Sequence, residues 1–203
     1  YRLNHYLEAN FDRPISSFRS ILDWGCGAAR LTRYLTNFSG PSITGIDIDR
    51  VNVQWAQDNV PGARFERVPV TPPTVFGDAC FDLVIGTSVL THLREDDQFR
   101  WLAELHRLTS PGALLFLTFV GDTVLGLKNY KEDKIAEIDE AGFLFGSINR
   151  SVQSGLDPDE GEFYSNVFHT ADYVRREWGR YFDVLAIEPS LLELQDVAVL
   201  RRI

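Results

Sequence analysis

Ile21-Leu22-Asp23-Trp24-Gly25-Cys26-Gly27-Ala28-Ala29-Arg30 is the stretch on which the fold turns. A short apolar run passes into small residues and then into a segment of helical character, which reads as a strand, a tight turn and a helix. Glycines at such a bend let the backbone approach a ligand closely. The helix that follows offers unpaired N–H groups to a carboxylate or phosphate. A dinucleotide fingerprint would need a third glycine where Arg30 stands, and Asp23 already places negative charge beside the turn, so a pyrophosphate is poorly served here.

Working outward, short apolar runs alternate with amphipathic segments up to about Leu125, the rhythm of a parallel sheet with crossover helices. The first strand is Ser20 to Trp24, followed by a helix from Ala28 to Phe38. Further strands are Ser42 to Ile48, Ala63 to Val70, Phe81 to Gly86 and the nearly all-apolar Ala113 to Val120, which a turn at Ser110-Pro111-Gly112 introduces. Helices are expected over Val51 to Asn59, with Asp49 as N-cap, and over Glu95 to Leu108. From Gly121 to about Tyr181 the rhythm breaks into polar, Gly-containing segments, an insertion where specificity would reside. Phe182 to Ile187 and Asp196 to Arg202 read as two last strands joined through Pro189. A parallel crossover needs at least about 10 residues, so this pair should be antiparallel. The fold class expected is therefore α/β: a doubly wound, seven-stranded, mostly parallel sheet with an antiparallel last strand, in one domain over 1–203.

Composition narrows the partners. A net charge of -9 with no Lys/Arg run repels polyanions, so nucleic acid is not an expected partner. No apolar stretch reaches the ~20 residues of a membrane span, so no membrane partner is expected either. Cys26 and Cys80 give neither zinc spacing nor a disulfide framework, which fits a reducing cytoplasm. The acidic loop Asp157, Asp159, Glu160 and Glu162 lacks fixed ligand geometry and reads as solvated, so no metal is expected. With no Met anywhere, the chain reads as a piece of a longer, multidomain protein.

A cationic sulfonium ligand with an amino-acid head and a nucleoside suits an acidic, small-residue pocket better than a pyrophosphate does. Asp23-x-Gly25-x-Gly27 resembles motif I of the class I S-adenosylmethionine-dependent methyltransferases, with Ala29 where a third glycine is common. The resemblance continues in order through Gly45-Ile46-Asp47-Ile48-Asp49, Phe81-Asp82-Leu83-Val84-Ile85-Gly86 and Leu108-Thr109-Ser110-Pro111-Gly112-Ala113. It covers most of the chain and extends to the antiparallel last pair. It implies S-adenosylmethionine as cofactor, lying across the carboxyl ends of strands one, two and four. Gly25, Cys26 and Gly27 would approach the methionine part through backbone, with Asp23 beside them. Asp47, followed by Ile48, would take the ribose hydroxyls, since a carboxylate presents two acceptors in one plane. Family members often carry an acidic residue after strand three for the adenine amino group. Here Val68, Pro69 and Val70 stand there, so backbone atoms of Pro69 and Val70 would serve. Gly86 and Thr87 complete the expected cofactor residues at the end of strand four.

Methyl transfer is an in-line displacement that needs alignment, desolvation and in some cases a base. His92, in Ser88-Val89-Leu90-Thr91-His92-Leu93 after strand four, and His169 in the insertion are the candidate catalytic bases, each weighed against a buried or capping role. Tyr6 and Tyr164 are candidate substrate contacts, weighed against packing. The Asn/Asp-Pro-Pro-aromatic loop of nitrogen-methylating relatives is absent after strand four, where Gly86-Thr87-Ser88-Val89 stands. The expected acceptor is a small molecule or sugar, methylated at oxygen. Two alternatives stay open: a NAD-dependent short-chain oxidoreductase, for which Tyr130-x-x-x-Lys134 has the spacing, and a non-catalytic scaffold domain that binds an adenosyl ligand.

Overall fold

The computed structural model describes residues 2–127, 132–148, 165–192 and 194–203. Strands β1 (Ser20–Trp24), β2 (Ser42–Asp47), β3 (Arg64–Arg67), β4 (Phe81–Gly86), β5 (Thr109–Phe119), β8 (Asp183–Leu192) and β9 (Gln195–Arg201) form one sheet in the order β3-β2-β1-β4-β5-β9-β8. β1 to β5 pair in parallel, while β9 is antiparallel to both β5 and β8. The last two strands are thus antiparallel, as the short connection between them requires. A separate two-stranded sheet joins β6 (Phe143–Ile148) and β7 (Ser165–His169). Helices α1 (Arg2–Phe11), α2 (Thr32–Leu35), α3 (Arg50–Asn59), α4 (Glu95–Leu108), α5 (Asp122–Leu127), α6 (Glu132–Ala141) and α7 (Ala171–Glu177) lie among the described residues, with short 3-10 helices at Ile15–Ser17 and Trp178–Arg180.

The period-2 alternation of strand side chains sorts the core onto two faces. Leu22, Val84, Leu115, Leu117, Ala198 and Leu200 point to one face, where the apolar stripe of α4 (Trp101, Leu102, Leu105, Leu108) packs with Trp178 and Phe182. Ile21, Leu83, Ile85, Leu114, Phe116 and Val199 point to the other, against Leu3 and Leu7 of α1, Phe18 and Leu35. Because helices cover both faces, the central strands read as continuous apolar runs.

Several boundaries differ from those expected: β5 begins at Thr109, so Ser110-Pro111-Gly112, with Gly112 at φ 79, lies inside the strand where its register on β4 shifts, and three more differ for local reasons. The helix expected over Ala28 to Phe38 shrinks to α2, because Ala29 adopts φ 57, a left-handed conformation that cannot continue a right-handed helix. The strand expected over Ala63 to Val70 stops at Arg67, before Pro69. The last pair does not join at Pro189: β8 runs through that residue to Leu192. The register slips between Glu188 and Leu192, and β8 is the edge strand, so a residue without an N–H removes no ladder bond there. The antiparallel pair of β6 and β7 lies in the insertion, where composition gave no sign of strands. Its β7 is tied to the carboxyl edge of the main sheet through Val167 N–H to Thr91 O at 2.9 Å and His169 N–H to Val120 O at 3.0 Å. Tyr130, Tyr164 and the acidic loop from 157 to 162 lie outside the described residues.

Candidate functional site

Parallel strands present their carboxyl ends on one edge, and a crevice opens where neighbouring connections leave on opposite faces. β1 sits at that switch, between β2 and β4. A cavity of about 440 Å³ opens there, with the glycine turn after β1, the end of β2, and the segment after β4 in its lining.

The turn is built for close approach. Gly25 (φ 73) and Gly27 (φ 50) are both left-handed, and the N–H groups of Gly25 and Cys26 fold back onto Ile46 O at 2.9 and 3.0 Å. A Cβ on Gly25 would stand 2.3 Å from Val89 Cγ2, whereas one on Gly27 would meet nothing within 4 Å. Gly25 is therefore required by the protein's own packing, and Gly27 leaves open space facing the cavity. Gly25→Ala combines a left-handed alanine with this collision. It should destabilise the fold by about 2–3 kcal/mol and weaken adenosyl-ligand affinity through a displaced Val89. Thermal melting and titration of the variant check both effects.

Two carboxylates face this space. Asp23 is fully buried at the end of β1; its Oδ2 accepts from the Thr32 hydroxyl, and no group among the described residues donates to its Oδ1. Burial pushes its pKa up to about 6, with the Thr32 hydrogen bond opposing and the nearby Asp47 charge adding to the rise. Asp47 Oδ2 accepts from Gly27 N–H at 2.7 Å and its Oδ1 from Asp49 N–H at 2.9 Å, which fixes the carboxylate's plane. Burial raises its pKa as well, against these backbone bonds. Asp49 caps α3, accepting from Val51 N–H at 2.8 Å and Asn52 N–H at 3.0 Å, as the sequence suggested. One wall is apolar: Val68, Val70, Leu93 and Trp101, whose indole N–H donates to Val70 O at 2.9 Å and whose ring lies tilted on Trp24 at 5.2 Å.

Of the residues singled out from sequence, Asp23, Gly25, Cys26, Gly27, Asp47, Ile48, Val70, Thr87 and His92 line this one cavity. Pro69 and Gly86 do not; a Cβ on Gly86 would stand 2.8 Å from the Trp24 ring and 2.9 Å from Leu117, so that glycine serves packing. Tyr6 lies away from the cavity, on α1, its ring edge-on to Phe116 and its hydroxyl donating to Glu188 at 2.9 Å. His169 is fully buried among Phe119, Phe143, Tyr173 and Trp178. Its Nε2 lies 2.9 Å from Gln98 Oε1, and Gln98 Nε2 donates to Leu90 O and Leu93 O. Nε2 therefore carries the proton, and burial pushes the ring's pKa down to about 3. That geometry ties the insertion to α4 and gives the imidazole no access to the cavity. Trp101, Asn52 and Arg30 are cavity residues that the sequence reading did not assign to the site. Among the described residues no group of three His, Cys, Asp or Glu side chains could hold a metal, and no helix is long and apolar enough to cross a membrane.

An adenosyl sulfonium ligand fits the residues present. The open face of Gly27 accommodates an amino-acid tail, the unpartnered Asp23 Oδ1 suits its ammonium group, the Asp47 carboxylate can accept from a sugar diol, and the apolar wall suits a flat base.

Residues 22–117, which hold all these elements, match a family model described as a methyltransferase domain. Trans-aconitate 2-methyltransferase of Delftia acidovorans is 28% identical over 104 residues, covering 50% of this chain and 38% of its own length. A S-adenosylmethionine-dependent methyltransferase from Methanosarcina mazei has a similar structure, with a TM-score of 0.65 at 22% identity over 91% of this chain and 92% of that one. So does 1,6-didemethyltoxoflavin-N1-methyltransferase of Burkholderia thailandensis, solved with S-adenosylhomocysteine, with a TM-score of 0.62 at 18% identity over 98% and 76% of the two chains. The glycine turn and paired carboxylates lie inside the matched segment, so residues 22–117 carry a methyltransferase domain, set in a sheet of the fold class that S-adenosylmethionine-dependent methyltransferases share.

Proposed function

We propose that the protein transfers the methyl group of S-adenosylmethionine to an oxygen atom of a small-molecule or sugar acceptor. The observation that carries this reading is the single cavity whose lining joins the glycine turn, Asp23 and Asp47 to His92. The cofactor supplies an electrophilic methyl group on a sulfonium. Asp47 and the backbone of the glycine turn orient the nucleoside and the tail, and Trp101, Leu93 and Val70 keep water from that end of the cavity. His92 is partly buried, and its position on the loop after β4 suits a base for an acceptor hydroxyl. The 28% identical relative named for trans-aconitate supports a small organic acceptor and equally suits a carboxylate oxygen, which needs no base. Catalysis by His169 is not part of this reading, because its ring is sealed in the core. Nor is substrate contact by Tyr6. Tyr164 remains a substrate-contact proposal. Two free cysteines, Cys26 and Cys80, suit a reducing cytoplasm.

The test is incubation with methyl-labelled S-adenosylmethionine and panels of hydroxyl, carboxyl and amino compounds, reading products that gain one CH2. Exclusive labelling of amines would overturn the oxygen assignment, and tight NAD(H) binding in place of adenosyl ligands would favour the oxidoreductase. For a hydroxyl acceptor, His92→Ala should lower kcat by about 100-fold and leave S-adenosylhomocysteine affinity within about 2-fold, with the rate recovering as pH rises. For a carboxylate acceptor the same variant should keep near-normal kcat. The His92 variant therefore separates the two oxygen chemistries.

A further inference from the structure

Asn52 lines the cavity from the first turn of α3, on the side of Asp47. Its backbone N–H donates to Asp49 Oδ1 at 3.0 Å and its side-chain Nδ2 to Asp49 Oδ2 at 2.8 Å. A carboxylate only accepts, so the amide nitrogen must face Asp49 and the amide oxygen is turned the other way. No group among the described residues donates to that oxygen. Asp49 N–H in turn donates to Asp47, whose other oxygen holds Gly27 N–H. Gly27, Asp47, Asp49 and Asn52 thus form one continuous hydrogen-bonded rail along the polar side of the cavity, ending in a fixed, unused acceptor. Each Asp47 oxygen already holds one backbone N–H, so a sugar diol that relied on Asp47 alone would share both of its acceptors with the protein.

We infer that Asn52 is a second sugar-binding residue, its Oδ1 accepting from one ribose hydroxyl of the adenosyl ligand. The assignment rests on the cofactor reading above. A hydroxyl is the group it takes, because Asn52 belongs to the polar rail, while the base faces the apolar wall of Val68, Val70, Leu93 and Trp101. Pre-organisation by two bonds to Asp49 means little side-chain freedom is lost on binding.

The experiment is calorimetric titration of the wild-type protein and Asn52→Ala with S-adenosylhomocysteine and its 2′-deoxy and 3′-deoxy analogues, alongside melting curves of both unliganded proteins. Asn52→Ala should bind S-adenosylhomocysteine about 3- to 10-fold more weakly. For one of the two deoxy analogues the two proteins should agree within about 2-fold, because the hydroxyl that Asn52 holds is then absent from both. An equal loss with all three ligands would overturn the inference and leave Asn52 a supporter of the Asp49 cap; no loss with S-adenosylhomocysteine would overturn it outright. Failure of the wild-type protein to bind S-adenosylhomocysteine at all is a different result, which would remove the cofactor reading together with this one.

Discussion

Asp47→Ala should weaken S-adenosylhomocysteine binding by at least about 100-fold, while the unliganded protein still folds. Hydrogen bonds to an ionised acceptor are worth about 1.5–3 kcal/mol each, and a sugar diol would make two. Their combined loss is about 3–6 kcal/mol, with each 1.4 kcal/mol a factor of ten. The variant also frees the N–H groups of Gly27 and Asp49, so the glycine turn loses one of the bonds that anchor it to β2. Asp47→Asn is the sharper probe. An amide can offer an acceptor oxygen to Gly27 or to Asp49 but must then turn its NH2 toward the other backbone N–H, donor against donor. The nearly isosteric change should therefore be about as harmful as Asp47→Ala, and not intermediate. Calorimetric titration with matched melting curves reads this out. Binding of either variant within about 3-fold of wild type would show that Asp47 does not hold the sugar.

Residues whose role is set by neighbours in the chain were legible before any coordinates. β1, β4 and α4 have the bounds that the apolar runs and the helical stripe implied, because each is bracketed by turn or capping chemistry in the sequence itself. The Asp23-Gly25-Gly27 turn and Asp47 are local in the same sense, lying at the carboxyl ends of two adjacent strands. What did not show was set by partners far along the chain. Gly86 read as a ligand contact because small residues at strand ends approach ligands, yet its constraint is the indole of Trp24. His169 read as a base because histidine titrates near neutrality, and only the aromatic walls from β5, β6 and α7 and the residue after it reveal a neutral core group. Tyr6 faces the sheet because Phe116 and Glu188, more than a hundred residues on, receive it. Asn52 carried no signal of its own: a polar residue in a first helical turn ordinarily faces solvent, and its aim follows from the two bonds to Asp49.

The carboxylate of Asp23 should cost the unliganded protein stability that its ligand restores. Its pKa is about 6 in the folded chain against an ordinary 3.8, chiefly because burial disfavours the charge. The folded state binds this proton more tightly than the unfolded one. Its contribution to stability is therefore complete below about pH 4 and is lost as pH rises through about 6. The difference between about 6 and 3.8 corresponds to about 3 kcal/mol of penalty on the ionised form at about pH 7.5. Asp23→Asn mimics the protonated group and keeps an acceptor for the Thr32 hydroxyl. It should raise the melting temperature at about pH 7.5 by roughly 5 °C, taking 2–4 °C per kcal/mol for a domain of this size and discounting for relaxation. The gain should shrink toward zero near pH 4. His169 pulls the other way in acid, since a ring held down to about 3 loses stability as pH falls below its ordinary 6.5. That loss is common to both proteins, so the difference between their melting curves isolates Asp23. The same substitution should weaken S-adenosylhomocysteine by about 10-fold or more, as expected for a charged hydrogen-bond partner of the ligand's ammonium group. Methylthioadenosine, which has no amino-acid tail, should bind both proteins alike. A variant that melts lower than wild type at about pH 7.5, or whose gain does not close in acid, would show that the ionised carboxylate is not the strained group. A loss shared equally by both ligands would show that Asp23 supports the turn and does not meet the tail.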